Sequence, residues 1–217
     1  LARNLSGHVF TSFLKPAERE ALKREILTAV RELFPEFMVL SPQEMSSAAR
    51  QELLEKHLVS AEFISEPFVG KSLCLSPDES ISLMIGEEDH IRIQVLGSGF
   101  QPIEMLDRAR EIDEALATRL TFATDEALGY LTHCPTNVGT GLRSSVMLCL
   151  PGLRARGELR PLFHAISKLG LTVRGLYGEG SESEGDLFQL SNQVTLGASE
   201  SEIAGVVKNV AEQLAER

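Results

Sequence analysis

The chain has 217 residues, 43% of them hydrophobic, with a mean hydropathy near zero, enough to bury one sizeable core and consistent with a single domain. A formal net charge of -10 without any Lys/Arg-rich run excludes a nucleic-acid partner, and no stretch of about 18 apolar residues marks a membrane span. Three cysteines, Cys74, Cys134 and Cys149, with no CxxC pair, speak against a disulfide framework or a zinc site.

The chain opens at Leu1 rather than Met, with no basic segment followed by an apolar one, so its start reads as a cut end and its compartment as cytoplasmic. Leu22, Ile26, Ala29, Val30 and Leu33 recur at helical spacing and predict a helix over 16–34; a second is expected from Ser46 to His57. The period then changes. In Ile91-Arg92-Ile93-Gln94-Val95 apolar and polar residues alternate, as in a half-buried strand whose polar face carries His90, Arg92 and Gln94, with Glu88 joining them if the strand reaches back.

Leu106 to Leu120 predicts a helix, and Gly129–Thr132 a strand running into Cys134-Pro135-Thr136-Asn137. A glycine-bearing loop, 137–141, feeds a strand from Arg143 to Leu150 that Pro151-Gly152 stops. A helix around 161–169 ends at Gly170, strands are expected near 171–176 and 187–196, and Ile203, Val206, Val207, Val210 and Leu214 form a last helix. Helices and strands do not alternate regularly, which points to an α+β fold with a largely antiparallel sheet flanked by helices.

Arg92, Arg143 and Arg174 occupy strand or loop positions from which a fold could aim them into one cleft. Arg143 follows Gly139-Thr140-Gly141 and Arg174 precedes Gly175 and Gly178, where backbone N–H groups can also reach phosphate oxygens. An arginine on a strand serves equally in a rim ion pair. Glu88 and Glu179 lie close in sequence to two of these arginines, and a site for a polyphosphate and a cationic acceptor needs both signs of charge. The plainer reading of 87–89 is a solvated turn. Cys134 stands at a strand-to-loop junction, where a thiolate could be held, or a pairing made with His133 or His90; Cys74 and Cys149 sit in apolar runs and read as core.

Two strings carry a resemblance. Glu87-Glu88-Asp89-His90-Ile91-Arg92 is similar to the EEDHxR motif, and Tyr130-Leu131-Thr132-His133-Cys134-Pro135-Thr136-Asn137-Val138-Gly139-Thr140-Gly141-Leu142-Arg143-Ser144-Ser145-Val146 to the long cysteine-loop signature, of the ATP:guanido phosphotransferases. Segments 173–182, 190–193 and 76–80 resemble the bacterial protein-arginine kinases of that family rather than the animal creatine and arginine kinases, and the likeness runs over essentially the whole chain.

The resemblance implies a glutamine-synthetase-like α+β catalytic domain that moves the γ-phosphoryl group of ATP to arginine guanidinium groups in proteins. It implies ATP contacts from His57, Arg92, Arg143, Ser144, Ser145, Val146, Met147, Arg174, Gly175, Leu176, Tyr177, Gly178 and Glu179, with Mg²⁺ held mainly by the nucleotide and no metal site of the protein's own. Glu88 and Glu179 match the carboxylates that bind the acceptor, and Cys134 the active-site cysteine. Alternatives are a kinase for free arginine or another small guanidino compound, and a non-catalytic nucleotide- or arginine-binding module.

Two departures qualify the match. The family places Ser-Ser-Arg-x-Arg just before Leu-Ala-Arg-Asn, both arginines clamping nucleotide phosphates, whereas this chain begins at Leu1. Its bacterial members also carry a C-terminal domain of roughly a hundred residues that dimerises and binds phosphoarginine. Residues 1–217 therefore read as a catalytic domain truncated at its N-terminus and lacking that second domain. The parent is expected to be a homodimer, with room for an activator protein beside its protein substrates.

Overall fold

The computed structural model describes residues 1–175 and 186–216. Pro16 opens α1 (Pro16–Leu33) at a position where its missing N–H is not needed, and the Lys15 N–H donates to Glu18 Oε2 at 2.7 Å, a capping-box contact. α2 (Ser47–Glu55) starts at Ser46, whose hydroxyl accepts from the Ala49 N–H at 3.1 Å. It ends in a Schellman motif, with the Leu58 N–H donating to Leu53 O and the His57 N–H to Leu54 O, both at 2.9 Å. His57 therefore takes φ 58, a left-handed conformation usually left to glycine.

β1 (Ala2–Arg3), β2 (Met38–Leu40), β3 (Ser72–Leu75), β4 (Ile81–Ile85) and β5 (Ile91–Val95) form an antiparallel sheet in the order β1-β5-β4-β3-β2. The sequence pattern predicts no strand at β3 or β4. Both are buried on both faces, so their residues give no alternation to detect. One face packs Leu83, Ile85 and Ile93 against α1 and α3 (Pro102–Ala117); the other packs Leu73, Leu75 and Met84 against Leu53, Leu58 and Phe63.

A two-stranded ribbon, β6 (Thr124–Asp125) with β7 (Gly129–Tyr130), precedes a second antiparallel sheet of β8 (Ser145–Cys149), β9 (Leu171–Gly175) and β10 (Leu187–Asn192), in the order β8-β10-β9. Pro151-Gly152 does more than stop β8: Pro151 is the first residue of α4 (Pro151–Ala155). α5 (Leu159–Ser167) and α6 (Glu200–Ala215) back this sheet. Cys149, expected in the core, is exposed, because β8 turns Val146 and Leu148 inward and Ser145, Met147 and Cys149 outward. β10 stops at Asn192 rather than 196, since the Asn192 amide there binds Leu142 O at 2.9 Å and Val194 O at 3.1 Å.

α6 joins the two cores. Ile203 and Ala204 pack with the first sheet, and Val207, Ala211 and Leu214 with the second. Burying one such valine or leucine side chain stabilises by about 1.5–3 kcal/mol, so neither sheet is released from α6 cheaply. At the edge of the first sheet the Ala2 N–H donates to Gly141 O at 2.9 Å. Gly141 has φ +63, and a Cβ there would stand 2.6 Å from Ala2 O, so glycine lets the loop lie against β1.

Candidate active site

Gly86 (φ +73) turns the chain out of β4 into the acidic run; a Cβ on it would stand 2.3 Å from Gly70 O. The run itself is not a solvated turn. Glu87, Asp89 and His90 are 8%, 2% and 0% exposed, whereas the Glu88 side chain is 38% exposed. Glu87 Oε2 lies 3.0 Å from Arg92 Nε, and Glu87 Oε1 accepts from the Ser60 hydroxyl. Burial pushes the Glu87 carboxyl above its ordinary range, and the Arg92 guanidinium and the Ser60 hydroxyl draw it only partly back.

Asp89 Oδ1 accepts from Asn4 Nδ2 at 2.6 Å and from the His133 N–H at 2.7 Å, which fastens the cysteine loop to the acidic run. His90, expected on the polar face of β5, is instead inside. Its Nδ1 accepts from the Leu5 N–H at 2.9 Å, so its proton sits on Nε2, 2.9 Å from Val9 O, and burial pushes its pKa down. The residue before β5 is drawn in because β1 and the chain after it cover that edge. His90 is thus committed to the backbone and does not serve Cys134.

The other imidazole is also engaged. His133 Nδ1 lies 3.5 Å from Glu88 Oε1, and its Nε2 lies 2.9 Å from Ser12 Oγ. Glu88 therefore sits between His133 and Arg92 Nη2, the latter 3.9 Å away. Cys134 follows His133 directly and leads into a short 3₁₀ turn, Pro135–Asn137, with its Sγ 2.9 Å from Thr136 Oγ1. Glu88, Arg92 and the Cys134 loop are thus brought together. His57 joins them from the other side, its carbonyl accepting from the amide of Gln94, two residues beyond Arg92 on the same face of β5.

The second sheet gathers the remaining candidates. Met147, Gln189 and Arg174 are cross-strand partners in one row, and Gln189 Nε2 donates to Ser145 Oγ at 3.1 Å, so Ser145, Met147 and Arg174 share the face away from α5 and α6. Arg143 is exposed just before this strand, and Gly175 closes β9. Val146 turns into the core, and Ser144 is buried with its N–H held by Asn192 Oδ1 at 2.7 Å; their side chains face away from that surface. Leu176, Tyr177, Gly178 and Glu179 lie outside the described residues.

Sequence reasoning passes over Arg3, which links the two halves. Its fully buried guanidinium binds Asp113 in a fork at 2.8 and 2.7 Å, donates to Thr140 O at 2.9 Å, and lies over the Tyr130 ring 3.5 Å from its centroid. Ala2, its neighbour, pairs with Arg92 across the sheet. One arginine thereby fixes the loop leading to Arg143 against the strand next to Arg92. The roles of Glu87, Asp89 and Asn4 are likewise missed, although the EEDHxR resemblance covers the first two.

The sequence profile described as "ATP:guanido phosphotransferase, C-terminal catalytic domain" matches residues 20–217. The chain belongs to this family. Within the ATP:guanido phosphotransferases, protein-arginine kinases of Bacillus cereus (strain AH187) and Pelotomaculum thermopropionicum are 46% and 45% identical to it over 99% of its length. The chain spans 61% of the length of these relatives. Among solved structures, the duplicated taurocyamine kinase from Schistosoma mansoni with bound transition state analog components superposes with a TM-score of 0.90 at 26% identity, over 100% of this chain and 31% of that one. A lombricine kinase gives 0.87 at 22% identity, over 99% and 63%, a likeness of fold. The matched span contains every candidate residue from His57 to Glu179, while Arg3 and Asn4 precede it.

Proposed function

We propose that residues 1–217 are the catalytic domain of a cytoplasmic protein-arginine kinase that transfers the γ-phosphoryl group of ATP to arginine side chains of proteins. The observation that carries this reading is the setting of Glu88: a half-exposed carboxylate beside Arg92 and the cysteine loop, held there by two buried acids. The 46% identity to protein-arginine kinases supports the acceptor class.

A guanidinium, with a pKa above about 12, is a poor nucleophile until a carboxylate orients it and takes a proton. Glu88 does so as the acceptor nitrogen bonds to the γ-phosphorus, the bond from that phosphorus to the bridging oxygen breaks, and ADP leaves. Glu179 is the second carboxylate of this reading. Cys134 orients the guanidinium and forms no phosphoenzyme. The cationic set Arg92, Arg143 and Arg174, with the hydroxyl of Ser145 and strand N–H groups, suits a polyphosphate, and His57 and Met147 border it. Mg²⁺, carried by the nucleotide, neutralises phosphate charge when bound.

Incubation of the chain with labelled ATP and either an arginine-bearing protein or free arginine tests the reading. Label on the protein is expected. Label on free arginine alone shifts the reading to a small-guanidino kinase, and ATP binding without any transfer makes the chain a binding module. The homodimeric parent and an activator protein belong to the same reading of the longer protein.

A further inference from the structure

Beside Glu88 the described residues present exposed apolar side chains. Phe13 is 71% exposed and Val9 56% exposed, although a large apolar side chain gains nothing from standing in water. Phe13 is not isolated, and Val9 precedes Phe10 in the chain. The Phe13 ring centroid lies 6.2 Å from that of His133, and Phe10 meets the same imidazole edge-on at 5.6 Å. His133 in turn lies 3.5 Å from Glu88 and is anchored by Ser12, on the same short turn as Phe13. A continuous strip therefore runs from the proposed acceptor carboxylate through His133 to Phe10 and Phe13.

A guanidinium at Glu88 sits at the end of a flexible methylene stem, so the backbone bearing it passes over whatever lies a side-chain length away. Two kinds of acceptor differ at that point. Free arginine would bring its own ammonium and carboxylate against exposed aromatic and aliphatic side chains, at a desolvation cost. A polypeptide presents an uncharged backbone and neighbouring side chains, which such a surface favours. Next to Val9 in the chain, His8 Nε2 lies 3.2 Å from Glu25 Oε2.

We infer that Phe10, Phe13, Val9 and His133 form a shelf that receives the polypeptide flanking the acceptor arginine and so sets the preference for arginine in proteins over the free amino acid. This rests on the protein-kinase reading above. The test compares the wild-type chain with Phe13→Ser and Phe13→Leu on two acceptors, an unstructured peptide with one central arginine between apolar neighbours, and free L-arginine. Phe13→Ser lowers the ratio of kcat/KM for the peptide to that for free arginine by about tenfold, through the KM of the peptide, and Phe13→Leu restores most of it. Val9→Ser moves the ratio the same way by less. If the wild-type chain labels the peptide and Phe13→Ser leaves the ratio unchanged, the shelf is wrong while the kinase reading stands. If the wild-type chain labels free arginine and no peptide, both fall together.

Discussion

The acidic run before β5 and the outward face of β8, β10 and β9 carry the two halves of the candidate site by different means. In the first, Glu87, Asp89, Asn4 and His90 are buried and bound to one another, to Arg92 and to the backbone of the cysteine loop, and Glu88 is left half-exposed among them. In the second, Ser145 and Met147 are exposed and Arg174 half-buried on one face of a sheet whose other side supplies the packing. The contrast fits the tasks proposed for the two halves. Proton transfer depends on hydrogen-bond reach, so the acceptor carboxylate benefits from a rigid buried surround, whereas a polyphosphate can be gathered by several cations and backbone donors at once.

The largest effect that would break this comparison lies at Glu88. In Glu88→Gln, kcat is expected to fall by at least about 100-fold with a modest change in the KM for ATP, because the amide keeps the shape but cannot accept the proton. Steady-state kinetics on an arginine-bearing protein measures both. Unaltered kcat would remove Glu88 from the acceptor role and with it the reason for the buried surround.

A paired substitution compares the two halves as structures. Asp89→Ala leaves the His133 N–H without its acceptor and deprives Asn4 of a charge-assisted bond, and is expected to destabilise by about 3 kcal/mol. Ser145→Ala, on the exposed face, is expected to stay within about 0.5 kcal/mol. Urea unfolding of both variants decides it; equal losses would mean that the acidic run is no more structural than the open sheet.

The difference also governs what can be read from residues alone. The amphipathic helices and β5 are legible because one face is apolar and the other polar, and the cysteine loop because its string is distinctive. β3 and β4 are not, since full burial on both faces erases alternation. Residues that are polar by type but interior by position mislead for the converse reason: three acids in a row look solvated, and only the fold reveals that Ser60, Arg92, Asn4 and His133 wait for two of them. Arg3 escapes notice because its partner Asp113 lies far along the chain, on α3. Cys149 fails in the opposite sense, an apolar residue that the register of β8 sends outward.

The smallest expected effect concerns His90, and its sign is set by the buried surround. The folded state holds the imidazole neutral, with Nδ1 accepting and Nε2 donating, and burial lowers its pKa below that of the unfolded chain. As pH falls through about 6.5, the unfolded chain binds a proton that the folded one refuses, so stability declines toward acid and is fully present above that pH. One such group contributes a slope of at most about 1.4 kcal/mol per pH unit, ending where the folded histidine itself is protonated. Denaturant unfolding of wild type and His90→Gln between about pH 5 and pH 8 isolates it, since glutamine retains a donor and an acceptor without titrating. The variant is expected to be less stable at the alkaline end of that range and to lose less on acidification. Parallel curves would mean that His90 is not held neutral, and the acidic half of the candidate site would then be no more constrained by burial than the half on the second sheet.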